Sequence, residues 1–199
     1  MFGGAFDPPH LAHQAIAQAA ITQLQLDLLY IVPTGQAWHK TRSLSDAEHR
    51  TAMARLAFEA LPLTVVDDLE TQRTGPSYTV DTLLELNKRH PHSLFYVLIG
   101  ADQAANFTQW HQWEMILDLA RLVVVPRPTA SEIPKATDEW HNLPSDRVLR
   151  INMPLMNISS SLLRASYALG NPASAFVSPH VDNYIQQNQL YLEPHDRSR

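Results

Sequence analysis

Two histidines three positions apart, His10 and His13, follow a Gly3-Gly4 pair and the stretch Ala5-Phe6-Asp7-Pro8-Pro9. Adjacent glycines let a main chain come close to a ligand, because neither carries a Cβ. From Leu11 onward apolar residues recur at helical spacing, so both imidazoles fall at a helix N-terminus and roughly on one face. Such a terminus already offers unpaired N–H groups and a partial positive charge. Two imidazole donors beside it make a site for a polyphosphate. The run therefore points to nucleotide chemistry. It is not the dinucleotide fingerprint, and no P-loop pattern occurs anywhere in the chain. A zinc site on the two histidines would need a third ligand from afar, and nothing in the sequence nominates one.

Five further groups could join that chemistry, and most have a plainer reading. Lys40, after His39, is either a cation that covers phosphate oxygens or a solvated loop lysine. Ile158-Ser159-Ser160-Ser161, with Arg164 one turn on, can cap a helix and present hydroxyls and a guanidinium to phosphates together. Gly100-Ala101-Asp102 ends a strand, where Asp102 can cap the next helix or accept protons from ribose hydroxyls. Ser77-Tyr78-Thr79 opens a helix whose first N–H groups suit a carboxylate. Trp110 can stack on a flat cationic ring or sit in the core.

The elements that must position these residues alternate between strand and helix. Helical spacing runs from 11 to about 25, from about 46 to 60 behind a Ser45-Asp46-Ala47-Glu48 capping box, from 79 to about 89, over 115–119 and over 160–169. In the 79–89 segment Val80, Leu83, Leu84 and Leu86 are expected to face inward. Ser178-Pro179 opens a last helix, and Gly170 stops the one before it. Short apolar runs at 28–32, 63–66, 94–99, 122–125 and 148–151 read as buried strands. Residues 126–146 carry four prolines without sustained periodicity and read as a surface excursion. Alternation of this kind predicts an α/β fold with a doubly wound parallel sheet, covered on both faces. Ligands in such sheets sit beyond the carboxyl ends of the strands, where the glycine turn, 35–40, 100–102 and 158–161 should gather.

Composition bounds the rest. A chain of 199 residues that is 45% hydrophobic supports one well-cored domain over 1–199. No apolar run is long enough to span a bilayer, and the start has no signal-peptide pattern. There is no cysteine, which excludes disulfides and thiolate metal sites and fits a cytoplasmic protein. The formal charge is −5 with 15 scattered Lys and Arg, so no basic stripe marks a nucleic-acid binder. A small anionic ligand needs only a few local cations.

The N-terminal run resembles the G-G-[TS]-F-D-P-x-H-x-G-H signature of the HxGH nucleotidyltransferase superfamily. The rest of the chain is similar to its nicotinate-nucleotide adenylyltransferases. That similarity includes Val32-Pro33 with His39-Lys40, Arg50-Thr51-Ala52-Met53, Ser77-Tyr78-Thr79-Val80, Ile99-Gly100-Ala101-Asp102, Trp110, Ile158 to Ser161 with Arg164, and Tyr184-Ile185. The resemblance implies a Rossmann-like single domain and adenylyl transfer from ATP to nicotinate mononucleotide, giving deamido-NAD and pyrophosphate. It implies catalytic roles for His10, His13, Lys40 and Arg164. It places Gly3, Gly4, Ala5, Phe6, Gly100, Asp102, Ile158, Ser159 and Ser160 on ATP, and Ser77, Tyr78, Thr79 and Trp110 on the mononucleotide. Mg²⁺ is implied as a companion of ATP, held by phosphate oxygens and water rather than by a protein metal site. A sister transferase acting on nicotinamide mononucleotide or phosphopantetheine, or a nucleotide-binding homologue without turnover, is the alternative. Ala5 stands where the pattern has Thr or Ser, and Ala12 where it has Gly. The chain begins one residue before Phe2, so the first, central strand is expected to be cut short.

Overall fold

The structure is a computed structural model and describes residues 1–36, 44–125, 143–154 and 156–192. Six strands form one sheet: β1 (Phe2–Gly4), β2 (Leu29–Pro33), β3 (Thr64–Val66), β4 (Phe95–Gly100), β5 (Ala120–Val125) and β6 (Val148–Arg150). Their spatial order is β3-β2-β1-β4-β5-β6, and every pairing is parallel. This is the Rossmann-like order in which the chain winds outward on one side of β1 and then crosses to the other. The topological switch point therefore lies between β1 and β4. β1 is three residues long, as its short start leads one to expect, yet it holds the central place. It pairs along its whole length with β2 and through Phe2 with Leu98 of β4.

Eight helices accompany the strands among the described residues: α1 (Leu11–Leu24), α2 (Ala47–Phe58), α3 (Leu69–Gln72), α4 (Thr79–Arg89), α5 (Ala101–Ala105), α6 (Trp113–Leu119), α7 (Ser160–Ala168) and α8 (Pro179–Gln187). Alternation along the strands assigns them to two faces. Leu98, Val123 and Val125 point to the face covered by α1, α2, α7 and α8. Val97, Ile99, Leu122 and Val124 point to the face covered by α3, α4, α5 and α6. Both faces are thus apolar, as a parallel sheet requires.

Two local expectations need correction. Leu84 is an exposed residue of α4, and Thr82 is buried in its stead. Val80, Leu83 and Leu86 already fill the stripe, and Leu84 falls on its flank. The capping box ahead of α2 does not form: Asp46 is the cap residue and makes no side-chain cap bond. The Ser45 N–H instead donates to Asp7 Oδ2 at 3.3 Å. The short α3 and α5, four and five residues long, carry no periodic signal of their own. Ser159 and Ser178 do cap α7 and α8, accepting from the N–H groups of Leu162 and Val181. Gly170 follows α7 with φ +73°, the left-handed conformation expected of its stop.

Candidate active site at the switch point

β1 delivers the glycine pair to the carboxyl edge of the sheet. Gly3 and Gly4 line a cavity of about 110 Å³ together with Ala5, Thr34 and Val97 to Ile99 of β4. Its far wall carries Ser77, Tyr78, Thr79, Trp110 and His111. The predicted phosphate turn and the predicted acceptor residues thus share one hollow at the switch point. A Cβ on Gly4 would meet the Phe6 ring at 3.1 Å, so this glycine makes room for the folded-back aromatic. Phe6 is buried edge-on against Phe2, His13 and Phe58.

His10 is the N-cap residue of α1, with extended backbone, and His13 lies one turn in. Their rings stack at a centroid distance of 3.8 Å. The His10 backbone N–H donates to His13 Nδ1 at 3.1 Å. That bond requires an unprotonated Nδ1 and leaves the His13 proton on Nε2 as a donor. His10 is only 7% exposed, and burial lowers its pKa from 6.5 to about 4. It is therefore a neutral imidazole at neutral pH. Its Nδ1 is buried without a hydrogen-bond partner among the described residues. An unmet buried polar atom costs about 1–3 kcal/mol, and the nearest donor to the His10 side chain is the His13 backbone N–H of the reciprocal capping arrangement.

α7 brings its N-terminus to the same turn. Ser160 Oγ donates to the carbonyl of Pro8 at 2.9 Å, and an Arg164 guanidinium nitrogen donates to the carbonyl of Asp7 at 2.7 Å. Arg164 also donates to Ser161 Oγ at 3.1 Å. Asp7 is fully buried and accepts from Tyr191 Oη at 2.7 Å. His10, His13, Ser160 and Arg164 are thus gathered around one loop, residues 5–10. Lys40, with His39, lies outside the described residues. So does most of the proline-rich 126–146 excursion.

The acceptor wall is built by α4 and the chain after α5. Tyr78 is the N-cap residue of α4, and its ring lies 4.3 Å from that of His111. Trp110 is half-buried and leans on Phe107 at 5.3 Å. It is therefore partly core and partly cavity wall. The Ser77 N–H donates to Gln36 O at 3.0 Å, pinning this wall to the chain after β2. Glu70 also lines the cavity, and Thr82 donates to its Oε1 at 2.8 Å. Burial raises the Glu70 pKa, opposed by the bond from Thr82 and by the Arg73 charge. Gly100 and Asp102 do not line the cavity, although Ile99 and Gln103 beside them do. Ile158 and Ser159 line a separate hollow of about 300 Å³ with Leu162 and Phe176.

Sequence reasoning did not assign Glu70, His111, Asp7 or Tyr191 to the site. Only a fold that brings 7 beside 191, and 70 beside 77 and 82, reveals them. Among the described residues no group of three or more His, Cys, Asp or Glu side chains is placed to hold a metal ion.

Comparison with known proteins agrees with this geometry. The cytidylyltransferase-like family model matches residues 1–166. A protein of Albidiferax ferrireducens named "Probable nicotinate-nucleotide adenylyltransferase" is 47% identical over 96% of this chain and 96% of its own. The chain belongs to the nicotinate-nucleotide adenylyltransferase family. A Methylibium petroleiphilum member of the family is 36% identical over 98% of this chain and 92% of its own. Among solved structures, a Plasmodium falciparum nicotinic acid mononucleotide adenylyltransferase complexed with NaAD superposes with a TM-score of 0.76. It covers 96% of this chain and 95% of that one at 22% identity, a likeness of fold.

Proposed function

We propose that this family member transfers the adenylyl group of ATP to nicotinate mononucleotide, releasing pyrophosphate and giving deamido-NAD. The observation that carries the reading is the single cavity walled on one side by Gly3, Gly4 and Ala5 and on the other by Ser77, Tyr78, Thr79 and Trp110. One substrate's phosphates and the other's ring and carboxylate need such adjoining walls. An oxygen of the acceptor's 5′-phosphate attacks the α-phosphorus of ATP, and the bond to the bridging oxygen of the leaving pyrophosphate breaks. No protein group becomes covalently modified, so catalysis consists of positioning and charge stabilisation.

His13, with its proton on Nε2, donates to a phosphate oxygen on which charge grows. His10 contributes its unmet Nδ1 as a neutral partner. Arg164 and Lys40 supply positive charge to the pyrophosphate, and the N–H groups of Ser159 and Ser160 add to it. Gly100 and Asp102 take the ribose side of ATP. The first turn of α4 receives the nicotinate carboxylate, and Trp110 stacks on the pyridinium ring. Mg²⁺ brought in with ATP would neutralise further phosphate charge, held by phosphate oxygens and water rather than by a protein cluster. Among the described residues no helix is long and apolar enough to cross a membrane, and the cytoplasm is the proposed compartment.

Purified protein offered ATP with nicotinate mononucleotide, nicotinamide mononucleotide or phosphopantetheine tests the reading. Pyrophosphate is expected with the first and far less with the others. Equal or greater release with another acceptor replaces the reading by a sister reaction. Binding of ATP without pyrophosphate in any arm removes it.

A further inference from the structure

The β1–β2 ladder stops at the phosphate turn for a visible reason. Gly4 pairs with Pro33, and the Thr34 N–H donates to Gly4 O at 2.8 Å. The next rung of a parallel ladder would run from the Phe6 N–H to Thr34 O. It is not made. Arg50, on α2 and 2% exposed, places its Nη1 2.6 Å from Thr34 O and 3.1 Å from Ala5 O. Its Nη2 lies 3.5 Å from Gly35 O, and its Nε donates to Ser45 O at 2.8 Å. One guanidinium therefore takes the carbonyl that Phe6 would have used and also the carbonyl of the Ala5–Phe6 peptide itself. In a planar trans peptide the C=O and N–H point in opposite directions. With Ala5 O turned to Arg50, the Phe6 N–H turns away from it, released from the ladder.

We infer that Arg50 is a positioning residue, which opens the β1–β2 ladder and aims the Phe6 N–H at an oxygen of the ATP triphosphate. This deepens the proposed function and rests on ATP binding at the glycine turn. A lysine would keep the charge yet cannot fork to several carbonyls at once. Arg50→Lys therefore separates aiming from simple electrostatics, and the packed stem is largely preserved.

The test compares wild type and Arg50→Lys by thermal unfolding, by ATP calorimetry without acceptor, and by steady-state pyrophosphate release. The expected result is a folded variant whose ATP affinity falls by about tenfold or more, with the KM for the mononucleotide changed less than about threefold. Wild-type ATP affinity in a folded Arg50→Lys protein overturns the inference. Equal losses toward both substrates overturn it too, because they mark general loosening. If Arg50→Lys does not fold, Arg50→Gln, which is neutral and still a donor, is read by the same two ratios. The calorimetric arm needs no acceptor, so failure of the proposed transfer reaction in wild type leaves this measurement intact and separately decisive.

Discussion

Tyr191 donates its hydroxyl to Asp7 Oδ1 across 184 positions of sequence at 2.7 Å. The C-terminal stretch is thereby fastened to the turn that precedes His10. Asp7 is fully buried, so its carboxylate depends on such donors. Burial and the Asp7 charge raise the Tyr191 pKa, keeping the phenol protonated as a donor. Tyr191→Phe is expected to lower unfolding free energy by roughly 1.5–3 kcal/mol, read by urea denaturation. An unchanged midpoint would show that Asp7 finds another donor.

Stability should fall in mild acid through His10. Burial holds its folded pKa near 4, against 6.5 for an ordinary histidine. Between those values the unfolded chain binds a proton that the folded chain refuses. Unfolding is then favoured as pH drops through that window, and the contribution is fully regained above the unfolded value. From pH 7 to pH 5 this group alone costs about 2 kcal/mol. His10→Gln should therefore show a smaller loss over that interval than wild type in parallel urea titrations. Identical losses would place the His10 ring in solvent.

His13→Ala removes an Nε2–H donor whose orientation is set by the His10 backbone at 3.1 Å. Turnover is expected to drop roughly a hundredfold, as when one preorganised donor is removed from a charge-stabilising site. Circular dichroism and melting should stay near wild type. Near-normal kcat in a folded variant would refute the role.

Trp110→Ala strips the half-buried indole from the cavity wall. The KM for nicotinate mononucleotide should rise roughly tenfold while that for ATP moves little. Parallel rises in both constants would count against stacking and favour a packing role against Phe107.

Gly35→Ala should be severely destabilising. A Cβ there would lie 2.1 Å from the Glu70 carbonyl oxygen and 2.7 Å from Ser77 Oγ. Backbone cannot yield as a side-chain tip can, and overpacking of this kind costs about 1–3 kcal/mol or more. Differential scanning calorimetry reads the shift. The surviving folded fraction should also bind the acceptor weakly, because Ser77 is displaced. A wild-type melting temperature would mean that the β2 loop stands further from α3.

Much of this fold was legible because its signals are local. β4 is a continuous apolar run closed by glycine, and α4 carries Val80, Leu83 and Leu86 on one stripe. The caps at Ser159 and Ser178 depend on a few neighbouring residues. The His10–His13 pair could be read because helical spacing alone brings the rings together. What escaped was long-range or too short to be periodic. Arg50 looks like an ordinary helix-surface arginine until folding surrounds it with carbonyls from the β1–α1 and β2–α2 connections. Ser45 heads a well-formed capping sequence, yet its N–H is claimed by Asp7. Tertiary partners there outweighed a local preference worth about 1 kcal/mol.

Ser160 and Arg164 reach carbonyls 152 and 157 positions earlier in the chain. A chain emerging from the ribosome makes the glycine turn long before α7 but cannot brace it until α7 has been synthesised. Nucleotide affinity should therefore arrive late in translation and abruptly, rather than growing with each strand added.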